Sequence, residues 1–274
     1  TAGPHTIRYF SVDNAGNQES QKTLTIRPDL VTVTVEPTTI VGGSVGVGTV
    51  NLASAAGASG VTVTLSSNRA GVTVPASVVV PNGATSANFN VTTTAVVSDV
   101  SATITATAAA ISRTVVVSVV RTTPASVTIA PTSLIGGNSA VGTVTTNGPA
   151  PAGGLVVTLA SGNPSVTVPA TVTVSAGQTS ATFAVSTTAV VADTTVSVSA
   201  TANGTTQSGG VTVLRSNLKS VTLNRSWTVG GTSKILRVLL DGKAPVGGLL
   251  INLASDNAVA TVPATVTVPA GADQ

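Results

Sequence analysis

The chain of 274 residues repeats itself at a fixed interval, and that self-similarity constrains its fold more than any other feature. Gly42-Gly43 recurs as Gly136-Gly137 (136 − 42 = 94) and again as Gly230-Gly231. Val74-Pro75-Ala76 recurs at the same offset as Val168-Pro169-Ala170 and Val262-Pro263-Ala264. Leu65 matches Leu159 and Leu253, Phe89 matches Phe183, and Asp99 matches Asp193. The register holds without insertion from Val33, Val127 and Val221 onward. The units therefore run over 30–122, 123–216 and 217–274. The third is incomplete: Gly271 corresponds to Gly177, so the counterpart of the segment carrying Phe183 is missing. Residues 1–29 read as a hairpin around Asn14-Ala-Gly-Asn17, the C-terminal end of a preceding domain of another type. A parent chain longer than this one is the simplest expectation.

Val alternates with Thr and Ser throughout, which is a strand signal, and no long 3.6-residue period is present. In the second unit strands are expected at 126–130, 140–146 and along Leu155, Val157 and Leu159. Two short strands fall on either side of Pro169, followed by strands at 178–186, 195–201 and 210–214. The paired glycines Gly42, Gly43, Gly136, Gly137, Gly230 and Gly231 mark turns, because glycine tolerates positive φ. Leu65, Phe89, Leu159, Phe183 and Leu253 fall at core-facing positions. Many short strands separated by Gly and Pro turns specify an all-β, two-sheet sandwich of about 94 residues, repeated as an extended rod.

Composition then removes most chemistry. There is no Cys and no Met, and His5 is the one histidine. Thiol nucleophiles, thiolate zinc sites and disulfides are impossible, and a His-based metal cluster cannot form. The acids Asp13, Glu19, Asp29, Glu36, Asp99, Asp193, Asp241, Asp256 and Asp273 are spread out, with no pair close in sequence for acid–base work. No catalytic residue, metal or cofactor is expected. The formal net charge is +3, yet the arginines are scattered rather than clustered, which excludes a phosphate-binding surface for nucleic acid. No apolar run is long enough for a membrane span.

The stretch from Gly136 to Phe183 (Gly-Gly, Gly-Thr-Val, Val-Thr-Leu-Ala-Ser, then Val-Pro-Ala-Thr-Val-Thr-Val-Ser-Ala-Gly-Gln-Thr-Ser-Ala-Thr-Phe) resembles bacterial immunoglobulin-like tandem repeats. The likeness covers residues 30–274. Phe10-Ser-Val-Asp-Asn-Ala-Gly-Asn17 is similar to the closing hairpin of another immunoglobulin-like module of bacterial surface proteins. The resemblance implies an extracellular or cell-surface location, as a stalk, adhesin, spacer or appendage. Calcium-stiffened junctions, found in such stalks, are not expected, because of the acids only Asp29 and Glu36 flank a junction. A Lys–Asn cross-link is excluded from the first two units, which carry no Lys between Leu30 and Leu214. Asp99 and Asp193 read as turn caps, and Trp227 as a local packing residue.

Few charges are left to guard strand edges, and surfaces of Thr, Ser, Ala and Asn lose water cheaply. The expectation is a non-enzymatic structural protein that associates with copies of itself, as a filament, sheath or layer subunit. A stalk of a large adhesin is the alternative. Sequons at Asn90, Asn203 and Asn224 and the many outward Ser and Thr are candidate glycan carriers. The open third unit could be completed by a strand from a neighbour, for which the N-terminal hairpin (Thr6, Ile7, Tyr9, Leu24, Ile26) is a possible donor.

Overall fold

Residues 5–26, 28–225, 227 and 229–274 are described by a computed structural model, and every regular element among them is a strand. β1 (His5–Tyr9) and β2 (Lys22–Ile26) pair antiparallel, with His5 opposite Ile26 and Ile7 opposite Leu24. The connecting loop is tied by Asp13, whose carboxylate accepts the backbone N–H groups of Ala15 and Asn17 and the side-chain amide of Asn17.

The first repeat contains β3 (Leu30–Glu36), β4 (Thr39–Val41), β5 (Val45–Leu52), β6 (Val61–Ser67), β7 (Val72–Thr73), β8 (Ser77–Val80), β9 (Ser86–Thr93), β10 (Val100–Ala108) and β11 (Ile111–Val120). One sheet has the order β3-β5-β9-β7 and the other β4-β11-β10-β6-β8. The second repeat copies this strand for strand: β12 (Pro124–Ala130), β13 (Ser133–Ile135), β14 (Ser139–Thr146), β15 (Leu155–Ser161), β16 (Val166–Thr167), β17 (Thr171–Val174), β18 (Ser180–Thr187), β19 (Thr194–Ala202) and β20 (Thr205–Leu214). Its sheets run β12-β14-β18-β16 and β13-β20-β19-β15-β17. All pairs are antiparallel except β4 with β11 and β13 with β20. In the third repeat β21 (Leu218–Leu223) pairs with β22 (Leu236–Leu240), and β23 (Leu249–Asn252) with β24 (Thr265–Val268). These are the counterparts of β12, β14, β15 and β17.

The chain forms two units. Thr1–Thr122 with Gly148–Ala152 is one; Thr123–Asn147 with Gly153–Gln274 is the other. Each complete repeat buries the alternate residues of both sheets. In the first, Val50, Phe89 and Val91 of one sheet meet Val63, Leu65, Ile104, Val117 and Val119 of the other. The outward residues form hydroxyl contacts across strands, such as Thr201 with Thr206 at 2.8 Å and Thr107 with Ser112 at 2.8 Å. Pairs of this kind add roughly 0.2–1 kcal/mol each.

Phe89 and Phe183 are buried, as are Leu65 and Leu159, whereas Leu253 is only half-buried against the small cluster of Val238, Leu240, Ala244, Ile251 and Val268. Among the described residues no strand covers Leu253 as β19 covers Leu159. The two aromatic rings dictate the residue beneath them. A Cβ added to Gly48 would stand 2.2 Å from the Phe89 ring, and one on Gly142 2.2 Å from the Phe183 ring. Glycine inside a strand is normally a weakness; here the ring occupies the space a side chain would take. The paired turn glycines divide their work. Gly43, Gly137 and Gly231 have positive φ (+89°, +94° and +80°), but Gly42 and Gly136 do not. Those two are needed for space, since a Cβ would come within 2.8 Å of Thr94 O and 2.5 Å of Thr188 O.

Gly142→Ala is expected to destabilise the second repeat by about 1–3 kcal/mol through overpacking, and Phe183→Leu in the same chain to recover part of the loss. Urea unfolding of the three variants measures both.

Candidate functional site at the repeat joints

A chain of like sandwiches does its distinctive work where one repeat passes into the next. In the second unit that passage is Arg215-Ser216-Asn217, three residues between β20 and β21. Each is held by a different element. The Arg215 backbone N–H donates to Asp193 Oδ1 at 2.9 Å. The buried Ser216 hydroxyl donates to the Lys243 carbonyl at 2.6 Å. The Asn217 N–H donates to Asp241 Oδ1 at 2.7 Å, and the Asp241 N–H returns a bond to the Asn217 carbonyl at 3.0 Å. The loop that begins at Asp241 lies against the second repeat, where a Cβ on Gly242 would meet Ile135 Cγ2 at 2.3 Å. The Lys243 side chain also passes Gly137.

The same set of contacts occurs 94 residues earlier. Arg121 N–H donates to Asp99 Oδ1 at 2.9 Å, and Arg121 Nε approaches the same oxygen at 3.0 Å. The fully buried Thr122 hydroxyl donates to the Pro149 carbonyl at 2.7 Å. Thr123 N–H donates to Asn147 Oδ1 at 2.9 Å, and Asn147 N–H donates to Thr123 O at 3.0 Å. Within the first unit the loop Gly148–Ala152 seats Pro149 over Gly43 and Gly148 against Val41. The Gly-Gly turns that receive these loops are braced by buried threonines. Thr93 and Thr187 accept the N–H of Gly43 and Gly137 at 3.1 Å and donate to the carbonyls of Ser44 and Asn138 at 2.7 Å. Nothing comes within 4 Å of the Cβ positions of Gly230 and Gly231.

Asp99 and Asp193 are therefore not local turn caps. They reach across 22 residues to hold the start of the linker. Acids do stand at the joints in space, against the expectation from linear position, and one oxygen of each accepts a backbone N–H group. Accepting the Arg121 N–H lowers the Asp99 pKa most; partial desolvation opposes this, and the Arg121 side chain lowers it further. Among the described residues no group of three His, Cys, Asp or Glu could hold a metal ion, and no helix is long and apolar enough to cross a membrane.

Trp227 is 68% exposed and does not pack as expected. It stands at the counterpart of Ser133 in β13, which pairs with β20 in the second repeat. The hairpin residues Thr6, Ile7 and Tyr9 are exposed, and among the described residues β1 pairs with β2 alone. The side chains of Leu24 and Ile26 lie outside the described residues, as does that of His5. Asn90, Asn203 and Asn224 are exposed, with Asn203 at a hairpin tip in the left-handed conformation (φ +50°).

Thr122, Ser216, Asn147 and Asp241 escaped the sequence reading. A signal existed, since both pairs keep a hydroxyl and an Asn or Asp at the repeat offset. The first repeat hides it by carrying Pro28 and Ala53 at these places.

The fold defines the class: tandem immunoglobulin-like β-sandwiches. No protein-family model matches the chain, and no curated protein matches it in sequence. Solved structures similar to it include the D0–D1 domain of intimin, at 14% identity over 68% of this chain and 98% of that one, with a TM-score of 0.29. The adhesin InvE of Yersinia pseudotuberculosis is similar at 13% identity over 78% and 77%, with a TM-score of 0.31. Domains 4 and 5 of the S-layer protein SbsC are similar at 17% identity over 68% and 99%, with a TM-score of 0.28.

Thr122→Val keeps the shape of the side chain but leaves the Pro149 carbonyl without its partner; a loss of about 1–3 kcal/mol is expected in urea unfolding. With a folded pKa below its ordinary value, Asp99 favours the folded state above that value. The contribution disappears as pH falls through the lower folded pKa. Asp99→Asn should therefore flatten part of the acid limb of thermal stability below roughly pH 4 and change its shape little above pH 6.

Proposed function

We propose that this chain is a non-enzymatic structural segment of an extracellular surface protein, in which serial sandwiches act as spacer units. The observation that carries the reading is the joint. The same contacts close two successive three-residue linkers, and they use side chains that contribute nothing to the sandwich cores. A chain without Cys or Met lacks the two most easily oxidised side chains, which suits an exposed location. Exposed Ser and Thr on the outer faces offer attachment points for glycans.

The edges of the complete repeats favour a spacer over edge-to-edge polymerisation. They are guarded by brevity, bulges and proline rather than by charge. The edge strands β4, β7, β13 and β16 have only two or three residues, and β8 lies between Pro75 and Pro81. β3 and β12 carry register shifts near their starts, and Arg113 Nε occupies the Val31 carbonyl at the first of them at 2.8 Å.

A second reading is a subunit that packs against copies of itself as a filament, sheath or layer. It is favoured by exposed valines that recur at the repeat offset, Val47 with Val141 and Val97 with Val191, on surfaces with almost no charge to desolvate. Sedimentation velocity over a wide concentration range separates the readings. The spacer reading expects one species whose sedimentation coefficient does not rise with concentration. Reversible growth into fibres or sheets would replace it with the second.

A further inference from the structure

Charge is unevenly placed along the chain. Residues 194–240 hold Arg215, Lys219, Arg225, Lys234 and Arg237 and no acid, a net +5, while the rest carries seven cations and nine acids, a net −2. The arginines alone look scattered; here the lysines fill the gaps between them. Antiparallel pairing then brings three of these cations into one row. Thr222 of β21 stands opposite Arg237 of β22, so Arg237 lies midway between Lys219 and Arg225 along the strand direction. At about 3.3 Å of rise per residue, the three follow one another at intervals of roughly 10 Å. All three are exposed. Among the described residues the ion pairs are Lys22 with Glu19 and Arg121 with Asp99, so none of the three has a carboxylate partner there. The Arg237 guanidinium bonds the Gln274 side chain, a neutral amide. The exposed Trp227 follows two residues after Arg225.

These are surface positions in a complete sandwich as well. The second-repeat counterparts of Lys219, Arg225 and Trp227 are Ala125, Pro131 and Ser133, all exposed, and that of Arg237 is Thr143, partly exposed on the outer face. β12, the counterpart of β21, is the edge strand of its sheet. The row of cations thus belongs to the outside of the sandwich and does not depend on an open core. Lys234 is left out of it, because its counterpart Ala140 is buried.

We propose that this outer edge of the third repeat binds an acidic polysaccharide, with Lys219, Arg237 and Arg225 pairing with carboxylates along the polymer and Trp227 stacking on a sugar ring. Arg and Lys make charge-assisted hydrogen bonds to carboxylates, and the Arg fork presents two parallel N–H groups. The indole offers a flat apolar face to the C–H side of a pyranose ring and an N–H at its rim. Spacing selects the polymer. Duplex DNA carries a charge about every 1.7 Å and is met by clustered Lys and Arg. A polysaccharide with a carboxylate on each ring, or on every second ring, has charge sparse enough to match cations roughly 10 Å apart. This binding goes beyond the spacer reading and holds equally for a segment that assembles.

The test titrates the 274-residue chain into fluorescently labelled oligogalacturonate, which carries one carboxylate per ring, and follows anisotropy at low and at physiological salt. Neutral dextran should not compete, and a DNA duplex should compete less well than unlabelled oligogalacturonate. Lys219→Gln/Arg225→Gln should weaken binding at least about tenfold at low salt and reduce its salt dependence. Trp227→Ala should weaken it at both salt concentrations and leave the salt dependence as it was. Arg8→Gln/Lys22→Gln removes the same charge from the N-terminal hairpin and should bind as the unsubstituted chain does. No binding, displacement by dextran, tighter binding of DNA, undiminished affinity in either third-repeat variant, or an equal loss in the Arg8/Lys22 variant would overturn the proposal. The competition series on the unsubstituted chain keeps it falsifiable even where a variant folds poorly.

Discussion

Three consecutive residues, Arg215, Ser216 and Asn217, carry the chain from a complete sandwich to an incomplete one, and the third repeat depends on how they are held. Among the described residues its two strand pairs share a cluster of five buried residues, against nineteen in the first repeat. The joint locks the linker, from the Asp193 side, the Lys243 carbonyl and the Asp241 carboxylate, and seats Gly242 on Ile135. These contacts tie the third repeat to the second.

A second constraint acts inside each repeat. With only three phenylalanines in the chain, a core built mostly of Val and Ala has one large side chain to fill each complete sandwich. The ring needs a glycine beneath it, and the glycine has no other reason to stand in the middle of a strand. The third repeat breaks that rule at Leu236 and changes the neighbouring Ala140 position to lysine.

Much of this was legible in sequence. Strict spacing and alternation reveal the repeat, the sandwich, the buried Phe89 and Phe183, and the turns at the paired glycines. What escaped depends on distance along the chain or on residues too few to show a period. β13 is three residues long and follows a proline, so it shows no alternation. Asp99 and Asp193 invite a local reading because short acidic side chains usually cap nearby turns. The partner they hold is brought close only by the sheet. Nothing in the sequence pattern explains why Gly48 and Gly142 stand within strands; the ring above each does. Trp227 read as a packing residue because large aromatics generally are, yet it is exposed.

The most direct measurement is residue-resolved amide hydrogen exchange on the Ser216→Ala/Asp241→Ala chain beside the unsubstituted one. The account predicts faster exchange in β21, β22, β23 and β24, with β14, β18 and β19 protected as before, because the third repeat loses the contacts that order it while the second keeps its own core. Unchanged exchange in the third repeat, or an equal rise across both repeats, would contradict it.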